Sequence, residues 1–193
     1  MRIRRSINAI WQDYKNGNEE QLITLIRAWK GIFDVSAKDP NAPNSFFKIG
    51  GMHGEPFRGA GYANAAWWGG YCNHGNVLFP TWHRAYCLHI ENALRSIPGC
   101  ENVTLPYWDE TGQDTKVNGV PGIFLEPKFV LDGEVIDNPL YSYTFPQDIV
   151  DRVDQDETNL ETYNLYTKKK GYKTVRYPLS GLVGTPAGEY CGA

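Results

Sequence analysis

Residues 71 to 83 read Tyr71-Cys72-Asn73-His74-Gly75-Asn76-Val77-Leu78-Phe79-Pro80-Thr81-Trp82-His83. The run sets His74 and His83 on either side of an apolar turn, with Cys72 two residues before the first histidine. Upstream, Gly50-Gly51-Met52-His53-Gly54 adds a third imidazole. Three imidazoles around one apolar pocket suit copper, zinc or iron, because imidazole is a donor that all three accept. Three protein ligands also leave positions open for oxygen or substrate. The chain then runs out of candidates, since its four histidines are His53, His74, His83 and His89. Four histidines in 193 residues is no enrichment, so the case rests on spacing and context.

Downstream of this run, apolar spacing predicts a helix that begins near Thr81 as N-cap and ends near Ser96, before Pro98-Gly99. Its inward face reads His83, Tyr86, Cys87, Ile90, Ala93, Leu94 and Ile97, which turns His83 toward the core. His89 falls six residues after His83, about 120° around the helix, and cannot share that face. Glu91 and Arg95 have the i,i+4 spacing of an ion pair on another face.

Upstream, residues 4 to 15 carry Ile7, Ile10, Trp11 and Tyr14 at helical spacing, and a second amphipathic segment spans roughly 19 to 35. Residues 37 to 80 read as loop, with Asn-Ala-Pro-Asn, Gly-Gly and Gly-Ala-Gly punctuation. The aromatics Phe57, Tyr62, Trp67, Trp68, Tyr71 and Phe79 mark that loop as packed and functional. Beyond residue 110, Phe129-Val-Leu and Glu134-Val-Ile flank Asp132-Gly133 and predict a hairpin. A short acidic helix is expected over 146 to 160, and a solvated loop over 168 to 170.

Composition bounds the function. The chain has 193 residues, 41% hydrophobic and 21% charged, with net charge -3, which fits one soluble domain or a large piece of one. There is no basic stripe to bind nucleic acid. No apolar run approaches the about 20 residues that span a bilayer. The start Met-Arg-Ile-Arg-Arg-Ser lacks the apolar stretch of a signal peptide, so the protein is intracellular or has lost a leader. Asn102-Val103-Thr104 is a formal N-glycosylation triplet and weakly favours secretion. Cys72, Cys87, Cys100 and Cys191 are too sparse for a disulfide scaffold. Cys87 reads as a buried thiol or disulfide partner, and Cys100 with Cys191 is one candidate pair.

The quoted run closely resembles the first copper-binding region of the type-3 copper proteins: tyrosinases, catechol oxidases and hemocyanins. The resemblance extends to His53-Gly54 before a Trp-rich segment, to Trp82-His83-Arg84-Ala85-Tyr86 with Glu91 eight residues after His83, and to Leu105-Pro106-Tyr107-Trp108-Asp109. Glu110 stands where Trp is more usual. Residues 171 to 184 resemble the stretch before the second copper region of fungal-type enzymes.

The resemblance implies a mainly α fold, a helical bundle with long loops and minor β structure. Residues 1 to 193 would be the N-terminal part of a single tyrosinase-like copper domain. It implies His53, His74 and His83 as ligands of one copper and a thioether bond between Cys72 and His74. The complete enzyme would hold two coppers and use O2 to oxidise o-diphenols, and in some members monophenols, to o-quinones. Its second copper needs three further histidines, which this chain lacks after His89. A second polypeptide or C-terminal half is therefore the expected partner, beside a phenolic substrate and O2. Two other readings stand beside it. One is a hemocyanin-like oxygen carrier, and the other is a mononuclear three-histidine metal protein.

Overall fold

The computed structural model describes residues 2–53, 77–149 and 169–174. Its described elements are mainly helical. In chain order they are α1 (Ile7–Lys15), α2 (Glu20–Lys38), α3 (Phe46–His53), α4 (Phe79–Arg95), α5 (Gln113–Asn118) and the strands β1 (Lys128–Leu131) and β2 (Glu134–Asp137). Among the described residues no helix is long and apolar enough to cross a membrane.

The long amphipathic helix α2 is the hub, with α1, α3, α4 and β1 all packed on it. Its buried residues Leu22, Leu25, Ile26, Ala28 and Ile32 meet Ile7 and Ile10 of α1, Ile49 of α3, Ala93 and Leu94 of α4, and Phe129 and Leu131 of β1. Burial of such aliphatic side chains contributes about 1.5–3 kcal/mol each before entropy is counted. Gly31 lies mid-helix in α2, where a Cβ would sit 2.7 Å from Ile97 Cγ2. The glycine lets the turn after α4 approach α2 closely, and so fixes where α4 lies.

The sequence placed α1, α2 and the hairpin correctly, with α2 running three residues beyond the predicted end. In the hairpin, Phe129 pairs with Ile136 and Leu131 with Glu134. Asp132 and Gly133 both have positive φ, 54° and 84°, the backbone that two-residue hairpin turns demand. The Leu105–Asp109 stretch makes a single parallel bridge, Ser6 to Tyr107.

Three expectations are corrected. Residues 46–53 form a helix inside the predicted loop. Ser45 Oγ lies 3.3 Å from Lys48 N and Ser36 Oγ 3.1 Å from Phe47 N, so two of the first-turn amides find acceptors. Packing of Phe47, Ile49 and Gly51 in the interior outweighs the poor helix propensity of Gly50 and Gly51.

Helix α4 begins at Phe79, with Pro80 in its first turn, rather than at Thr81. Thr81 Oγ donates instead to Leu78 O at 3.0 Å. Pro80 has no amide to satisfy, and its fixed φ suits the first turn.

Glu91 does not pair with Arg95. Its side chain is fully buried, at 0% exposure, and binds Arg2 at 2.9 Å and Arg4 at 3.0 Å. Arg95 donates to Val103 O. Cys100 is a buried thiol, and its candidate disulfide partner is Cys191. Cys191, and the part of the predicted acidic helix beyond residue 149, lie outside the described residues.

Candidate metal centre

Two of the three predicted ligands converge. His53 is the last residue of α3, and His83 sits one turn inside α4. Their Nε2 atoms are 3.3 Å apart, and their rings meet nearly edge-on, with centroids 5.4 Å apart and planes at 73°. His83 is half-buried and His53 exposed, so the pair lies at the edge of the described core rather than within it. His74 and Cys72, with the loop between α3 and α4, lie outside the described residues.

Hydrogen bonding decides which nitrogen of His83 can bind a metal. Nδ1 lies 2.8 Å from the carbonyl oxygen of Phe79, one turn earlier. A carbonyl only accepts, so Nδ1 carries the proton and Nε2 presents its lone pair toward His53. Two nitrogens each about 2.0–2.1 Å from a metal, at a near-tetrahedral angle, are about 3.3 Å apart. The observed separation matches that geometry. An imidazole pair with open positions suits copper through a redox cycle. Among the described residues no group of three or more His, Cys, Asp or Glu side chains is placed to hold a metal ion.

Aromatic side chains wall the pair. Phe79 lies 4.1 Å from the His83 ring and Trp82 4.9 Å. Tyr86 stacks on Trp82 at 5.0 Å and reaches His53 at 5.6 Å. These ring contacts constrain the ring planes. Its members at 79, 82 and 86 are legible as i−4, i−1 and i+3 neighbours of His83 on a helix. The Phe79 carbonyl has no sequence signal apart from that spacing. His89 is exposed, about 120° around the helix from His83.

The helix that carries His83 is anchored two turns on. Burial pushes the Glu91 carboxyl up. The Leu105 amide at 2.9 Å and the Arg4 and Arg2 guanidiniums outweigh that and hold it below its usual range. The N-terminal segment thus straps α4 to the start of residues 105–109.

Comparison with known proteins gives the same direction. The family model for the common central domain of tyrosinase matches residues 43–180. Over 197 residues the chain is 50% identical to tyrosinase HcTyr2 of Hahella sp. (strain CCB-MM4), covering 96% of this chain and 33% of that protein. It is 52% identical over 171 residues to a tyrosinase of Aspergillus oryzae, covering 86% and 28%. The structure of tyrosinase from Burkholderia thailandensis at low pH superposes with a TM-score of 0.75 at 49% identity, over 96% of this chain and 34% of that one. The chain therefore spans about a third of the length of these relatives. With a domain match across most of its length and helices that superpose on a tyrosinase, the chain belongs to the tyrosinase family.

Proposed function

We propose that this chain carries one copper half-site of a tyrosinase-type oxidase that converts o-diphenols to o-quinones with O2. In this reading His53, His74 and His83 hold one copper, and a thioether between Cys72 and His74 keeps the second ring in place. Three further histidines on another polypeptide or segment hold the other copper. The observation that carries the proposal is the 3.3 Å separation of the two Nε2 atoms, with the His83 proton held on Nδ1.

Copper, when bound, supplies the electron acceptor and the place where O2 is reduced. The chain does the rest. The Phe79 carbonyl keeps the His83 ring in one tautomer, so Nε2 is ready without reorganisation. The rings of Phe79, Trp82 and Tyr86 give a flat phenol an aromatic wall. Overall, two diphenols lose two electrons and two protons each, and one O2 becomes two waters. No side chain of the described residues is needed as a redox group.

The test is an o-quinone assay on a catechol, run on this chain alone and with a polypeptide that carries the second copper region. Turnover only in the mixture supports the proposal. Quinone formation from monophenols as well would extend the substrate range. Reversible oxygen binding without turnover would support the carrier reading instead. A thioether would show as a 72–74 peptide two hydrogens lighter than its sequence mass, and a peptide of unmodified mass removes that part of the proposal.

A further inference from the structure

His53 is the last residue of α3, and as a ligand its ring must hold a fixed distance from His83. The two helices that carry the pair each pack on α2. One residue of α4 reaches across to α3 at two heights. The Tyr86 hydroxyl donates to Ile49 O at 3.0 Å, one turn before His53. The Tyr86 ring lies 5.6 Å from the His53 ring, at 30°. Trp82, one turn earlier on α4, stacks on Tyr86 at 5.0 Å and 24° and stands 6.0 Å from His53. The three rings thus form a triangle beside the two Nε2 atoms.

We propose that Tyr86 is a positioning residue that sets the separation of His53 and His83, and with it the metal affinity of the half-site. The inference rests on the reading of both histidines as ligands. Tyr86 is not itself read as a ligand. It acts through the His53 ring and through the last turn of α3. Its spacing, three residues after His83, brings it to the same helix face as that ligand, so one side chain ties both histidine-bearing elements together. Groups that orient a metal-binding imidazole commonly change affinity on the order of tenfold or more when removed.

The experiment titrates Cu(II) into the full 193-residue chain against a competing chelator and records nitrogen hyperfine coupling by electron paramagnetic resonance. The variants are Tyr86→Phe, Tyr86→Leu and His83→Ala. Ile123→Val is the control, a packing change at a buried residue of the turn that packs against α1. Tyr86→Phe keeps the ring and loses the hydroxyl, and a several-fold weaker affinity is expected. Tyr86→Leu loses both contacts, and about tenfold weakening with altered nitrogen coupling is expected. If Tyr86→Leu fails to fold, Tyr86→Phe decides.

Histidine coupling that His83→Ala abolishes, together with Tyr86 variants no weaker than Ile123→Val, overturns the positioning role and leaves the ligands standing. Coupling that survives unchanged in His83→Ala overturns the ligand reading, and this inference with it.

Discussion

The Nδ1 atom of His83 sits 2.8 Å from the carbonyl oxygen of Phe79, one turn earlier in the same helix. Backbone and imidazole are therefore a single unit. The helix that begins at Phe79 orients the ring, and the ring presents Nε2 to His53. What holds α4 in place then matters to the site as much as the histidines themselves.

Glu91 is one such hold, and its chemistry predicts an acid response. Its folded carboxyl titrates below the ordinary value of 4.5. The stability it contributes is therefore fully present above that value and is lost as pH falls through the lower, folded one. Arg2 and Arg4 are 40% and 38% exposed and can turn to water when the pair breaks. Glu91→Gln should thus cost about 3 kcal/mol near neutral pH, the low end for a broken buried pair. The gap from wild type should narrow below pH 4.5. Urea melts at several pH values read this directly, and a gap that stays constant into acid would contradict it.

Gly31→Ala should destabilise the fold although alanine favours helix. The new Cβ would meet Ile97 Cγ2, Cγ1 and Cδ1 at 2.7, 2.8 and 2.9 Å. With the branch itself in the way, rotation of the isoleucine does not clear the clash. Overpacking costs about 1–3 kcal/mol, against about 1 kcal/mol of propensity gained. A net loss of about 1 kcal/mol is expected, and Ile97→Ala in the same background should recover part of it. A more stable Gly31→Ala would show that the helices are not in close contact there.

Tyr143 carries the opposite expectation. Its hydroxyl is buried and has no hydrogen-bond partner among the described residues. Burial pushes the phenol up to about 12, with the Ser36 hydroxyl acting the other way. Ser36 Oγ already donates to Ile32 O at 2.8 Å. The ring is the useful part, 4.7 Å from both Phe33 and Phe46. Tyr143→Phe should leave thermal stability unchanged or raise it by about 1 kcal/mol, since an unsatisfied buried hydroxyl is removed. Tyr143→Ala should lose about 3–5 kcal/mol.

Much of this was legible in the sequence. Helices α1 and α2 showed in the spacing of Ile7, Ile10 and Trp11 and of Leu22 through Phe33. Asp132-Gly133 announced the hairpin turn. Helix α3 was hidden because Gly50-Gly51 reads locally as a break. Its tertiary packing makes it a helix, although Ser45 before Phe46 is a readable cap. Pro80 was the better mark of the start of α4 than Thr81. The Glu91 pairing could not be read from helix spacing at all, because its partners come from residues 2 and 4, far away in the chain. The site was half legible in the same sense. Residue types and spacing nominated His53 and His83, but their facing Nε2 atoms depend on how α3 and α4 pack on α2.

The most direct measurement counts copper per chain in the purified protein and in His53→Ala, His83→Ala and His89→Ala. The account predicts copper bound in the wild type, lost in the first two variants and retained in the third, whose histidine is exposed on another face of α4. Copper retained in full by His83→Ala, or lost with His89→Ala, would contradict it.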